Sequence, residues 1–418
     1  MRNQIGTAAT IIVFLLIEYY CFISVRTAIR NHNNTFKTIA YALYVVTTII
    51  AWYCLFTFRT WDTQHWNPSV KVFMIAFVMG LLSAKVLVSL FMLIDDFRRL
   101  ITFIIRFIGR FFPEAPQDPV EISNGISRSS FIARMAILAG GLLFSGFIWG
   151  TQNRYRYIVK RYKVPINRLP PAFKGLKIVH FSDVHAGSFD NPEAVQHGVD
   201  MMLKENADLI VFTGDLVNNK ASEIEDYKHI FAQLKAPLGV YSTLGNHDYG
   251  DYVKWDSPQA KIDNLEALKQ HHADMGWKLL MNEHVVFEKD EQKIALIGVE
   301  NWSNMARFPK HGDLKKAYAG TENIATKILL SHDPTHWDAQ IRPQFGDIDL
   351  TLSGHTHGMQ FGLRLDWMQW SPVKYVYNQW AGLYTEAHQH INVNVGYGFL
   401  GYPGRLGILP EITVIELV

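Results

Sequence analysis

Five short islands of metal-ligand residues lie between Asp183 and His357: Ser-Asp183-Val-His185, Gly-Asp215, Gly-Asn246-His247-Asp248, Ser-His332-Asp and Gly-His355-Thr-His357. Most of them follow an apolar run that reads as a β-strand. On an extended end, alternation turns Asp183 and His185 the same way, towards one ion. Asp215 has two carboxylate oxygens and is the natural bridge between two ions, while Asn246 offers a neutral amide oxygen. His332, His355 and His357 add imidazoles. Mixed nitrogen and oxygen donors suit Mn, Fe or Zn better than Mg or Ca. Two such cations side by side activate water and clamp a phosphoryl group, which is the chemistry of phosphate-ester hydrolysis. A lone Asp-x-His is ordinarily a surface turn, and a lone Gly-Asn-His-Asp is often a loop. Five such islands in order, each after a strand, point to a site for two divalent transition-metal ions per chain.

The elements that must position these residues are legible from Leu176 onward. Strands are expected at Lys177–Phe181, Asp208–Phe212, Gly239–Thr243, Lys293–Gly298, Lys327–Leu330, Asp347–Leu352, Ile391–Val395 and Glu411–Leu417, and helices near Glu193–Lys204, Glu223–Leu234 and Ala260–His272. Strands interleaved with helices imply an α/β layered domain whose ligands emerge at strand C-termini. The only cysteines, Cys21 and Cys54, lie in apolar stretches far upstream. The domain therefore has no thiolate zinc site and no thiol nucleophile.

On these motifs, residues 164–418 resemble the calcineurin-like metallophosphoesterase superfamily. The resemblance implies a sandwich of two mixed β-sheets flanked by helices. It also implies that Asp183, His185, Asp215 and His357 bind one metal, and that Asp215, Asn246, His332 and His355 bind the other. His247 is the residue such enzymes set against the phosphate or leaving group. The stretches LPPAFKGLKIVHFSDVH and GYPGRLGILPEITVIEL look like a membrane-anchored or exported bacterial branch, some of whose members hydrolyse lipid-linked or nucleotide-sugar phosphodiesters. Met359 departs from that branch, which more usually has glycine there.

Around this core, Asp248 is a candidate orienting partner for His247 or His332, or a plain turn residue. Arg405 sits in a glycine-rich turn, where it either reaches a phosphate or braces the loop. His180 alternates away from Asp183 and is expected to be buried or paired, whereas His271, His272, His388 and His390 look like surface residues. Trp367–Tyr384 is unusually aromatic. It either packs against the second sheet or forms a lip, with Trp367 and Trp370 touching a lipid-linked substrate.

The front of the chain has a different character. Residues 1–163 carry 18 Lys/Arg against 7 Asp/Glu, net +11, and the remainder 22 against 31, net −9. An acidic catalytic region argues against nucleic acid as partner. Four transmembrane spans are expected within residues 1–150, at Ala8–Val25, Phe36–Phe58, Val70–Ile94 and Phe131–Gly150. Glu18 and Lys85 fall inside the first and third, where charge is costly unless it pairs in the bundle or reaches a polar crevice. Ile101–Phe112 is either an interfacial helix or a continuation of the third span. Pro113–Gly125 reads as a linker, and 151–175 as a juxtamembrane linker containing a first strand ahead of the 176–418 domain. Lys and Arg are concentrated in the first and third connections, which places those inside and the catalytic domain on the extracytoplasmic face of a bacterial plasma membrane. The basic run Arg154–Lys163 pulls the other way, while Ser127-Arg128-Ser129-Ser130 resembles a twin-arginine export signal that has lost its second arginine.

The expected protein is thus a multi-span membrane hydrolase. Its substrate is a phosphodiester or pyrophosphate, in a phospholipid, a lipid-linked precursor or another phosphorylated molecule, and no obligate protein partner is evident. The alternatives are a broad-specificity phosphodiesterase or nucleotidase acting on soluble compounds, and a non-catalytic membrane scaffold that keeps the esterase fold.

Overall fold

The computed structural model of the chain describes residues 2–57, 67–111, 127–365 and 367–418. Contacts divide it into two units, Met1–Trp149 and Gly150–Val418.

The first unit is built on four long apolar helices: α1 (Arg2–Ala28), α2 (Asn34–Thr57), α3 (Pro68–Gly109) and α4 (Arg128–Gly150). Each is long and apolar enough to cross a bilayer. The segment from Ile101 continues α3 without a break and is not a separate helix. At 1.5 Å per residue, α3 is about 60 Å long, roughly twice the hydrocarbon thickness. The expected Pro113–Gly125 linker and the end of the second span at Phe58 lie outside the described residues. Glu18 and Lys85 face each other inside the bundle, with Lys85 Nζ 2.7 and 2.8 Å from the two carboxylate oxygens. Tyr44 (2.6 Å) and Trp52 (3.1 Å) donate to the same carboxylate, and Lys85 also donates to Thr48. The pair is thereby fully hydrogen-bonded among α1, α2 and α3, the condition under which buried charge is tolerated.

The second unit is a four-layer sandwich. One sheet has the order β1 (Ile158–Val164), β14 (Glu411–Leu417), β2 (Lys177–Phe181), β3 (Leu209–Thr213), β4 (Val240–Thr243), β5 (Lys278–Leu279). The other runs β12 (Gly382–Glu386), β13 (Gln389–Val393), β9 (Leu350–Ser353), β8 (Thr326–Leu330), β7 (Gln292–Gly298), β6 (Glu283–Lys289). Both are mixed: β2, β3 and β4 are parallel, as are β7, β8 and β9, while β14 and the outer strands β6 and β12 supply the antiparallel pairings. A separate two-stranded hairpin joins β10 (Leu363–Leu365) to β11 (Met368–Trp370).

Period-two alternation builds this core. Ile178, Leu209, Val211, Leu296, Leu330 and Leu352 meet between the sheets. Val179, Phe181, Ile210 and Phe212 point the other way, onto α5 (Pro192–Lys204), α6 (Lys228–Phe231) and α7 (Pro258–Asp274). The expected helix Glu223–Leu234 is instead a 3-10 turn, Ala221–Ile224, followed by the single turn α6. Residues 347–349 do not join β9. Asp349 turns its carboxylate onto the Lys327 amide and Arg168, so the ladder starts at Leu350.

Candidate metal centre

All five islands arrive at the C-terminal ends of parallel strands. β2, β3 and β4 deliver Asp183 with His185, Asp215, and Asn246 with His247; β8 and β9 deliver His332, and His355 with His357. The site therefore spans both sheets. Five of these residues hold positive φ: Asp183 (54°), His185 (50°), Asp215 (60°), His355 (74°) and His357 (52°). For residues with a Cβ this left-handed backbone is strained, a cost that persists where the surroundings fix it and a site requires it. Close loop packing also depends on glycine. A Cβ on Gly354 would lie 1.9 Å from Ser182 Oγ and 2.2 Å from Asp183 Oδ2, and one on Gly245 2.3 Å from Asp215 Oδ1.

Two clusters result. Asp183, His185 and His357 present ligand atoms within 4.8 Å of one another, and so do Asp215, His332 and His355. Between the clusters, His185 Nε2 lies 3.6 Å from Asp215 Oδ2. Second contacts fix the imidazoles: His332 Nδ1 donates to the Thr213 carbonyl at 2.7 Å, which leaves Nε2 facing Asp215 at 3.1 Å. His355 Nε2 meets Tyr377 Oη at 2.8 Å, turning Nδ1 to within 3.1 Å of His332 Nε2. The Asn246 amide nitrogen donates to Tyr252 and leaves Oδ1 with no partner.

Buried and unpartnered polar atoms gather here: both ring nitrogens of His185, Asn246 Oδ1 and His357 Nε2. Such orphans are costly unless something satisfies them, and the donor set is one that borderline divalent cations accept. These residues fit a metal pair. Burial pushes His185 down to about 3 and His355 to about 4, and holds His357 well below the usual imidazole range, so all three are neutral lone-pair donors. Burial also raises Asp183 to about 6. Burial opposes charge on His332 and Asp215 as well, but their mutual attraction outweighs it. His332 rises to about 10 and Asp215 falls well below the carboxylate range.

His247 stands beside the clusters, its amide donating to Asp215 Oδ1 (2.8 Å) and its Nδ1 to the Asn218 carbonyl (2.7 Å). Asp248 does not orient that ring. Its carboxylate accepts from the amides of Gly245, Asp215, Leu216 and Val217, binding the β3 and β4 loops together. Arg405 is fully buried behind His357 and donates to the carbonyls of Val395, Gly396, Gly398 and His357, so it braces the loop and is not among the residues lining the cavity above the clusters. Trp367 and Trp370 sit on the β10–β11 hairpin and do not line the cavity above the clusters. His180 is paired to Asn392 and Thr213. His271, His272 and His390 are buried, against the surface expectation, because their helix and strand turn them inward; His388 is exposed.

That cavity is about 540 Å³. Its lining includes Tyr252, Arg307, Phe308 and Tyr377, with Met359, Val373, Val376 and Leu400 as an apolar wall. None of these carries a motif. Tyr252 follows the Asn-His-Asp island by four residues and Tyr377 belongs to the aromatic stretch, so nearness was the only signal; Arg307 lies in a coil after β7 that gave none.

Comparison with known proteins gives two family matches. A family described as "Probable Calcineurin-like phosphoesterase, transmembrane domain" matches residues 2–154, and "Calcineurin-like phosphoesterase" matches 176–359. A zebrafish "Transmembrane protein with metallophosphoesterase domain" is 34% identical over 319 residues, 74% of this chain and 67% of the relative. The bovine protein of that description is 33% identical over 62% of this chain, which spans 56% of its length. The "UDP-2,3-diacylglucosamine pyrophosphatase LpxG" of Chlamydia trachomatis is 31% identical over 45% of this chain and 65% of its own.

Proposed function

This chain belongs to the calcineurin-like phosphoesterase family, and on that premise we propose that it hydrolyses a phosphodiester or pyrophosphate bond in a lipid or lipid-linked substrate. It is a membrane-associated phosphoric ester hydrolase. The observation that carries the finer reading is the cavity itself: two ligand clusters share a space with one arginine and an apolar wall. Such a space suits a phosphate joined to an acyl or other apolar group. The Chlamydia relative is named for a diacylated nucleotide sugar, which supports the same class.

In this reading Asp183, His185, Asp215 and His357 would hold one cation, and Asp215, Asn246, His332 and His355 the other, each Mn, Fe or Zn. When bound, the pair supplies Lewis acidity to a phosphoryl group and lowers the pKa of water. His247, whose Nδ1–H is committed to the Asn218 carbonyl, presents Nε2 to the cavity; in its doubly protonated form it would give the Nε2 proton to the leaving oxygen and regain one from water. Arg307 neutralises the phosphate. The charge bias of the connections supports an extracytoplasmic catalytic domain.

The test is hydrolysis by the full chain with Mn²⁺, given a diacylated nucleotide sugar, phospholipid vesicles and bis-p-nitrophenyl phosphate separately. Preferred turnover of an amphiphile is expected. Turnover of the soluble diester alone would favour the broad-specificity reading, and none on any substrate a scaffold.

A further inference from the structure

The β10–β11 hairpin is built inside out for a water-facing element. Its antiparallel register pairs Leu363 with Trp370 and Leu365 with Met368, so those four side chains share one face. All four are exposed, Leu365 by 44%, and Trp367 at the turn is 76% exposed. The other face carries Gln369, which is exposed, and Arg364, whose side chain is largely enclosed against the wholly buried Glu411 and reaches Tyr162 Oη at 3.4 Å. A hairpin governed by water would turn the arginine out and the leucines in. An isolated two-stranded ribbon is marginal alone, and here the inward ion pair fixes it while the apolar face is left outward.

The root of the hairpin says what covers that face. The carbonyl of Gly150, the last residue of α4, accepts from the Arg405 amide at 2.9 Å, and Asn153 donates to the Arg405 carbonyl at 3.2 Å. The next residue, Leu406, pairs with Gln360 and Gly362, immediately before β10. The hairpin is therefore held two hydrogen-bond steps from Gly150, the first residue of the second unit, which follows in sequence directly on a helix long and apolar enough to cross a membrane. Tyr375 (74% exposed) and Val376 (56%) extend the apolar surface, and Val376 also lines the cavity above the metal ligands. Lys374, over the Tyr375 ring, is a cation of the kind that meets lipid headgroups.

We infer that the β10–β11 hairpin inserts its apolar face into the headgroup–acyl boundary of the bilayer, making a second attachment besides the four helices. Tryptophan and tyrosine are the residues that favour that boundary. Trp370 on that face meets Tyr375, the neighbour of Val376 in the cavity wall, so a lipid held at the hairpin would have a short path to the site. The insertion itself does not rest on the hydrolase reading.

The test is a depth measurement on the full chain in nanodiscs. An environment-sensitive fluorophore is placed by Met368→Cys, and separately by Leu365→Cys, with Cys21 and Cys54 replaced by Ser. Ile262→Cys on α7, 54% exposed, is the aqueous control. The expected result at both hairpin positions is a blue-shifted emission, severalfold stronger quenching by shallow doxyl lipids than at 262, and loss of iodide quenching. Equal behaviour at the hairpin and at 262 would overturn the inference. So would shielding that appears only in discs holding two copies, which would make a second chain the cover. Neither outcome depends on turnover, so failure here is distinguishable from failure of the proposed activity.

Discussion

His332 Nε2 lies 3.1 Å from Asp215 Oδ2, although the two residues come from different sheets. His332 leaves the end of β8 and Asp215 the end of β3, and the Thr213 carbonyl on β3 fixes the ring across the gap. The metal centre is thus also the seam of the sandwich. Moving one sheet against the other would separate the ligands, so fold and site stand or fall together.

The Asp248 carboxylate is the brace of that seam. Replacing Asp248 by Asn turns one of its two accepting oxygens into an NH2 donor that cannot accept from its pair of backbone amides, and leaving buried donors unsatisfied costs about 1–3 kcal/mol. The expected outcome for Asp248→Asn is a lower denaturant midpoint and weaker retention of metal. Unchanged metal content after dialysis would contradict the bracing role.

Arg307 is the described cation that lines the cavity above the two clusters. Arg307→Ala should lower kcat/KM by roughly 10–100-fold, about 1.4–2.8 kcal/mol, and Arg307→Lys should recover part of it. Metal stoichiometry should stay as in the wild type. A variant with full kcat/KM would remove Arg307 from substrate binding.

Glu18 and Lys85 form a closed pair inside the helical unit. Removing one charge strands the other in an apolar surrounding, at roughly 3–5 kcal/mol. Glu18→Gln and Lys85→Met should each lower the melting temperature in detergent, while the double variant should be more stable than either. An additive double variant would show that the charges act separately.

His272 gives the domain an acid limit. It is wholly buried against Phe212 and Trp277, with Ser242 Oγ on Nδ1 at 2.9 Å; its neighbour His271 faces Glu225 and Asp274, the latter paired with Lys228. Burial, with His271 beside it, depresses its pKa to about 3. Because the folded value is below the unfolded one, its stability is intact above about pH 6.5 and is lost as pH falls towards 3. Denaturant midpoints of the full chain should fall between pH 7 and 5, and less steeply for His272→Phe. Equal slopes would place the acid sensitivity elsewhere.

How much of this was legible in the sequence follows from what each feature depends on. The ligand islands and the strands before them were readable because period-two apolar runs and Asp, His and Asn after them are local signals. The Glu18–Lys85 pairing was one of two open readings, since the sequence gives depth but not facing. The roles of Asp248 and Arg405 stayed open between alternatives, because they lie in backbone amides and carbonyls that the fold brings together from loops distant in sequence. The left-handed backbone at Asp183, His185, Asp215, His355 and His357 left no trace, since nothing in those residue types demands it. The inverted β10–β11 hairpin was visible only as excess tryptophan and tyrosine; its facing needed the register and the Arg364–Glu411 pair.

Metal content measured together with turnover, on the full chain and on Asp215→Asn, tests the central claim most directly. Mass spectrometry of the reconstituted wild type should find about two transition ions per chain alongside phosphoester hydrolysis. Asp215→Asn should hold fewer and lose activity by about 10³-fold or more while keeping its far-UV signature. A wild type that holds fewer than two ions and is inert, or a variant that keeps both ions and its turnover, would contradict the account.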